Sequence, residues 1–206
     1  VRNRLLFIES NTTGTGMLAL EKARALGFAP LFLTNKPARY QGLEQTGCPV
    51  LICDTNAPEI LKATIDRHIP MEEVCGITTT SEFYLETVAT LATTYGLVGN
   101  SPLAVARCRD KARTRLRLRE AEVAQPRFAI IYDPADVSAG LKICGLPCVV
   151  KPVDDTGSNQ VLYCRTREQA QAQVAHILAA QTNVRGQETA RAVLLEEFLD
   201  APEYSV

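Results

Sequence analysis

Histidine is almost missing from this sequence. Only His68 and His176 occur in 206 residues, far apart, which excludes a histidine-built metal cluster and a serine–histidine–aspartate set. His176 also falls opposite Val174, Ile177 and Leu178 in a helical pattern, where a solvated side chain is expected. Equally absent is any apolar run near the roughly 20 residues that span a bilayer. The opening VRNRLLFIES is too short in its apolar part to be a secretion signal, so a cytoplasmic protein with no membrane partner is expected. C-x-x-C spacing is missing among the seven cysteines, whose odd number and placement in apolar runs suit reduced core thiols better than metal or redox chemistry. Charge of either sign is not in excess. A formal net charge of -1 gives no global field to attract nucleic acid or anionic lipid, so any ligand has to be recognised locally.

What is present is a globular composition, 46% apolar and 22% charged, in a chain long enough for one large or two small domains. The first half alternates strand and helix signals. LLFI (5–8), PLFLT (30–34), PVLIC (49–53) and VCGIT (74–78) read as buried strands. Between them, MLALEKARAL runs to Gly27, and N-A-P-E (56–59) opens a helix that Asn56 can cap and Glu59 can bond back to, with Ile60, Leu61, Thr64 and Ile65 on its buried face. After Ser81 a further helix places Tyr84, Val88, Leu91, Ala92 and Tyr95 on one stripe and closes at Gly96. This alternation predicts a parallel, Rossmann-like open sheet.

Ligands of such a sheet sit beyond the carboxyl ends of its strands, which brings NTTGTG (11–16), NKPARY (35–40) and TTTSE (78–82) to one rim. Gly14-Thr-Gly16-Met-Leu-Ala19 has the G-x-G-x-x-A spacing of a dinucleotide loop, which keeps an NAD(P)-dependent oxidoreductase as an alternative. Against it, the second strand ends in Thr34-Asn35-Lys36, without the acidic residue that bonds a ribose 2′-hydroxyl. Arg39, Thr78, Thr79, Thr80 and Glu82 lie on these rim loops, and each also suits an ordinary capping or surface role.

RCRDKARTRLRLR (107–119) has seven basic residues in thirteen. Taken as one helix, they recur every second residue and spread around it at roughly 100° per residue, forming no single stripe. No aromatic side chain interleaves to stack on a base, so nucleic acid is not an expected partner, and one or two of these charges are expected to matter locally.

Beyond Pro126 the strands crowd together: RFAIIY (127–132), PCVVKPV (147–153), QVLYC (160–164) and AVLLEEFL (192–199). Helices are predicted after Asp133 and after Thr166, which with Gln169 can form a capping box. The pattern predicts a small α+β unit with an antiparallel sheet. Alternation in PCVVKPV sets Cys148 and Val150 on one face and Val149, Lys151 and Val153 on the other. A lysine projecting from such a strand calls for an anion or a carboxylate nearby. The following loop, Asp154 to Asn159, contains Gly157, which can adopt positive φ, and consecutive N–H groups that could face an anion. It is no Walker loop, because a strand follows where a helix would be needed. Of the adjacent Glu196 and Glu197, one exposed and one paired is the ordinary expectation.

In their order and spacing, RDKARTR (109–115), Pro126-Arg127-Phe128, VVKPVDDTGS (149–158) and VLLEEFLDAPEYSV (193–206) resemble the ATP-grasp superfamily. Members hold their nucleotide between two α+β subdomains, behind a Rossmann-like pre-ATP-grasp domain. The resemblance implies a Rossmann-like parallel-sheet domain over 1–102, a connecting helical segment over 103–125, and an N-terminal ATP-grasp subdomain with an antiparallel sheet over 126–206, ending at the hinge. It implies ATP as ligand. Lys111 and Lys151 would neutralise its phosphates, the Gly157-Ser158 hairpin would close over them, Glu196, Glu197, Phe198 and Leu199 would form the adenine hinge, and Glu203 would take the ribose. GITTTSE (76–82) looks most like the carboxylate–amine ligases, which join a small carboxylate and an amine through an acyl phosphate, with Thr79 and Glu82 as candidate substrate residues. Biotin-carboxylase-like and carbamoyl-phosphate-type members share the nucleotide site, and a non-catalytic module is a further alternative. A homodimer through the first domain is an expectation of the same kind. Family members hold Mg2+ with acidic residues and an asparagine well beyond the hinge. Those ligands are expected past Val206, with no metal site in this chain, so these 206 residues alone are expected to bind ATP weakly without turnover.

Overall fold

The computed structural model describes residues 2–202 and 204, and Glu203 lies outside the described residues. The chain divides into two compact units, Val1–Ala106 and Arg107–Val206. Among the described residues no helix is long and apolar enough to cross a membrane.

The first unit is built on β1 (Arg4–Ile8), α1 (Thr15–Ala25), β2 (Ala29–Thr34), β3 (Val50–Ile52), α2 (Pro58–His68), β4 (Val74–Thr78) and α3 (Leu85–Thr94). Its four strands are parallel in the order β3-β2-β1-β4, so the strand order reverses beside β1. Strands covered on both faces read as near-continuous apolar runs. Period-two alternation then divides β1: Leu6 and Ile8 enter the core with Leu61, Ile65, Tyr84 and Leu91, while Phe7 enters the opposite one with Leu20, Ala23 and Tyr40. α2 starts one residue later than its expected cap. Ala57 occupies the N-cap position, Pro58 stands at N1, and the Asn56 side chain instead accepts a 2.8 Å bond from the Tyr84 hydroxyl. From that start Leu61 and Ile65 face inward, and Ile60, expected in the core, is 53% exposed.

The second unit contains α5 (Lys111–Glu120), which follows α4 (Pro102–Arg109), then β5 (Phe128–Ile131), α6 (Val137–Cys144), β6 (Cys148–Pro152), β7 (Leu162–Cys164), α7 (Arg167–Ala179) and β8 (Val193–Glu197). The antiparallel sheet has the order β5-β8-β6-β7. On one face Cys148, Val150, Cys164, Val193 and Leu195 bury against Cys144, Ala170, Val174 and Ile177 of the two following helices. Thr166 and Gln169 form the predicted capping box at the start of α7, and His176 is exposed. On the other face α5 inserts Ala112 against Val153, Ala192 and Leu194, with Phe128 and Ile130 at the margin, and the β6 alternation read from the sequence is the one found.

The basic stretch is not one helix. Asp110 adopts extended backbone, caps α5 by accepting a 3.0 Å bond from Arg113 N, and separates it from α4. This break turns Arg109 and Lys111 inward together, while Arg113 and Arg117 pair on the surface with Asp110 and Glu120. Four of the cysteines, Cys48, Cys144, Cys148 and Cys164, are buried free thiols, and Cys108 is exposed.

Gly16 marks where α1 comes closest to the end of β1. A Cβ there would overlap the Asn11 carbonyl oxygen and stand 2.8 Å from Ser10 Oγ. Backbone cannot yield as a side-chain tip does, so Gly16→Ala should lower the unfolding free energy by about 3 kcal/mol. An unchanged urea midpoint would contradict this reading of the turn.

Candidate functional site

The α5-facing side of the second sheet carries the charges. Strand pairing sets Val149 between Glu196 and Tyr163, and Lys151 beside Leu194, so Val149, Lys151, Tyr163 and Glu196 share the face on which α5 lies. Glu196 is only 4% exposed. Its two carboxylate oxygens are taken by different cations, Oε1 by the Arg115 guanidinium from α5 and Oε2 by the Lys151 ammonium from β6. Lys151 therefore has the carboxylate its position demanded, and both adjacent glutamates are paired where the sequence led us to expect one exposed. Glu197 points to the opposite face and binds Arg127, which holds its carboxyl below the ordinary carboxylate value.

The hairpin loop between β6 and β7 is rooted by the α4–α5 junction. Arg109 donates to the Asp154 carbonyl at 3.0 Å and Lys111 Nζ to the Asp155 carbonyl at 2.5 Å, while Lys111 N bonds the Val153 carbonyl at 2.9 Å. Inside the loop Asp155 accepts from Thr156 N and Asn159 Nδ2, and Asp154 accepts from Ala190 N. Gly157 at φ 65° and Ser158 at φ 58° form the exposed tip, where a Cβ on Gly157 would meet nothing within 4 Å. The left-handed turn asks for glycine at 157 on conformational grounds alone. Burial pushes the Lys111 ammonium below its ordinary pKa, and the nearby positive charges of Arg109 and Lys151 push the same way, against Asp155 and Asp154. An anion beside Lys111 would favour its charged form against both causes.

Beyond β8, Phe198 packs edge-on against Tyr163 with ring centroids 4.7 Å apart, and Arg165 lies over the Tyr163 ring at 5.5 Å. Phe198 and Leu199 are 42% and 58% exposed, next to the polar end of the face and apolar in character. The structure thus brings Lys111, Lys151, Gly157, Ser158 and Glu196 to Leu199 into one unit. Arg109 and Arg115 were hidden in a stretch whose helical break is set by a single aspartate.

At the first unit's rim the sequence pointed to Thr79 and Glu82. The Thr79 hydroxyl donates to the Glu9 carbonyl at 3.2 Å and accepts from Ser81 N at 3.0 Å, so it fixes the turn after β4, and exposed Glu82 opens the short helical turn before α3. The residue missed there is Glu9, fully buried at the end of β1 with φ 53°. It accepts from Thr34 Oγ1, Asn35 N, Tyr40 OH and Thr55 Oγ1, and Arg39 stands 3.6 Å away. An acidic residue ending the run LLFIE was the signal available. Beside it, Ser10 Oγ and Thr80 Oγ1 are 2.5 Å apart, and Ser81 Oγ is buried without a hydrogen-bond partner.

The ATP-grasp domain family matches residues 144–206, the stretch that holds β6, the hairpin loop, β7 and β8. An L-amino acid ligase from Bacillus licheniformis superposes with a TM-score of 0.73 at 22% identity, over 98% of this chain and 46% of that one. N5-carboxyaminoimidazole synthetase from Staphylococcus aureus, solved with ADP, superposes with a TM-score of 0.68 at 14% identity, over 95% of this chain and 47% of that one. In sequence, the uncharacterized protein y4rH of Sinorhizobium fredii (strain NBRC 101917 / NGR234) is 28% identical over 204 residues, which are 99% of this chain and 42% of that protein. The chain spans less than half the length of each of these. Residues 144–206 match the ATP-grasp domain family, and the mixed α/β architecture, with one parallel and one antiparallel sheet, is that of the ATP-grasp fold.

The lowered pKa of Lys111 has a measurable consequence without any ligand. Between that value and the ordinary lysine value of 10.5, the unfolded chain binds more protons than the folded one, so this lysine's contribution to stability rises with pH. The stability of the wild type minus that of Lys111→Met should therefore increase through this alkaline window. A constant or falling difference in urea unfolding would show that burial and the neighbouring cations do not lower the Lys111 pKa in the folded chain.

Proposed function

We propose that this chain forms the nucleotide-binding portion of an ATP-dependent carboxylate–amine ligase of amino-acid type. The observation that carries the proposal is the group of cations, Lys151, Lys111, Arg109 and Arg115, gathered around the open sheet face and the root of a glycine-tipped hairpin. A carboxylate oxygen would attack the γ-phosphorus of ATP, ADP would leave, and an amine would then displace phosphate from the acyl phosphate. Separating anionic oxygens of this kind need preorganised positive charge more than any protein nucleophile. Lys151 and Lys111 are assigned to the phosphate oxygens and the Gly157-Ser158 tip to covering them. The apolar surface of Phe198 and Leu199 is assigned to the base, with Glu203 on the ribose.

Among the described residues no group of three or more histidine, cysteine, aspartate or glutamate side chains is placed to hold a metal ion. Mg2+, which offsets phosphate charge in such chemistry, would be held by other residues. The likeness to the ligase from Bacillus licheniformis supports the amino-acid assignment, with Thr79 and Glu82 offered as substrate-side residues.

Titration calorimetry with ATP tests the reading. Lys151→Ala should weaken binding at least about tenfold, the effect of removing one charge-assisted contact to phosphate, with the melting curve retained because Glu196 keeps Arg115 as counter-ion. Equal affinity in that variant would remove the phosphate role of Lys151. Tight NAD(P) binding with no ATP binding would replace the ligase by an oxidoreductase.

A further inference from the structure

Arg115 has no part in the nucleotide contacts proposed above, yet it is one of the two cations on Glu196. Its side chain is 22% exposed and reaches Glu196 Oε1 through the guanidinium, while the Lys151 side chain, 20% exposed, reaches Oε2 through the ammonium. The helix that carries Arg115 is fixed at several points. Asp110 caps its first turn, Ala112 is buried against Val153 and Leu194, and the Arg115 carbonyl accepts a 2.9 Å bond from Gln125 Nε2. We infer that Arg115 is a positioning residue, which by occupying one oxygen of Glu196 keeps the Lys151 charge available to a polyphosphate.

Two cations against one carboxylate leave the trio with one positive charge. Without Arg115, Glu196 and Lys151 become a neutral pair. Glu196 would then draw the ammonium wholly to itself, and an incoming phosphate would have to compete with a buried carboxylate for it. Arg115 thus works at a distance from any ligand, through the charge it cancels. Arginine suits the task, since it stays protonated and its planar fork holds a carboxylate in one orientation. The inference rests on the ATP-binding reading, which supplies the polyphosphate.

The experiment is a charge-balance cycle read by calorimetry with two probes, ATP and inorganic tripolyphosphate. Arg115→Met should weaken both about tenfold. Adding Glu196→Gln to it should recover most of that loss, because Lys151 then has no carboxylate to neutralise it. Glu196→Gln would also repair a purely structural loss of Arg115, but it would do so in the melting curve and without binding tripolyphosphate more tightly than wild type when made alone. Circular dichroism melts establish that each variant folds. Should Arg115→Met fail to fold, Glu196→Gln alone decides: it raises the local charge by one and should bind tripolyphosphate several-fold tighter. Unchanged affinity in Arg115→Met, a double variant no better than the single, or Glu196→Gln binding no tighter than wild type would each overturn the inference. If the wild type binds ATP and these outcomes follow, only the role of Arg115 falls. If the wild type binds neither probe, the nucleotide reading falls and this inference with it.

Discussion

A carboxylate buried in the middle of a sheet constrains everything placed around it. Glu196 sits on β8, which has β5 on one side and β6 on the other, and its side chain is almost out of contact with water. Withdrawing such a charge costs several kcal/mol unless cations are delivered to it. One arrives from the neighbouring strand as Lys151 and the other from α5 as Arg115, so strand order, strand alternation and helix position all meet at this group. Stability alone does not call for it, since apolar residues of similar volume hold a sheet at least as well. What the trio adds is a positive charge with a fixed address on an open face.

The first unit contains a buried glutamate too, and the contrast is instructive. Glu9 is satisfied mainly by neutral donors, three hydroxyls and a backbone N–H, with Arg39 at the margin. Its four hydrogen bonds knot the ends of β1 and β2 to the loops behind them, at the place where the strand order reverses. That carboxylate is turned inward and fixes the rim on which a ligand would rest. Glu196 hands its charge balance outward. The same burial penalty yields a structural anchor in one unit and an electrostatic setting in the other, and the difference lies in whether the donors are neutral or charged.

Much of this was legible in the sequence because it follows from short-range periodicity. The strands of both units, the capping box at Thr166 and the face taken by Lys151 are apolar-run, period-two or capping signals, which a few neighbouring residues determine. What escaped depends on a single residue or on distant partners. One extended residue, Asp110, divides a run that composition presents as one helix, and with that division the facing of Arg109, Lys111 and Arg115 changes. Ile60 was placed inside by a pattern that began at Asn56, yet proline at 58 moved the start and so the stripe. The burial of Glu9 was missed for another reason: its partners, Thr34, Asn35, Tyr40 and Thr55, come from two later loops and a strand end.

The hairpin loop shows how these local rules combine into a device. An ammonium has three protons to donate, and Lys111 commits one bond to the Asp155 carbonyl. That bond sets the distance between the charge and the glycine tip, and Arg109 does the same one carbonyl earlier. Loop and cation therefore share one hydrogen-bonded root, with the left-handed turn at Gly157 and Ser158 as its exposed tip. Burial first, and then the charges of Arg109 and Lys151, lower the Lys111 pKa, and an anion bound beside Lys111 would oppose both by favouring the charged ammonium. The cost of holding those cations together without a ligand is borne by the fold, through Glu196 beneath and two backbone carbonyls above.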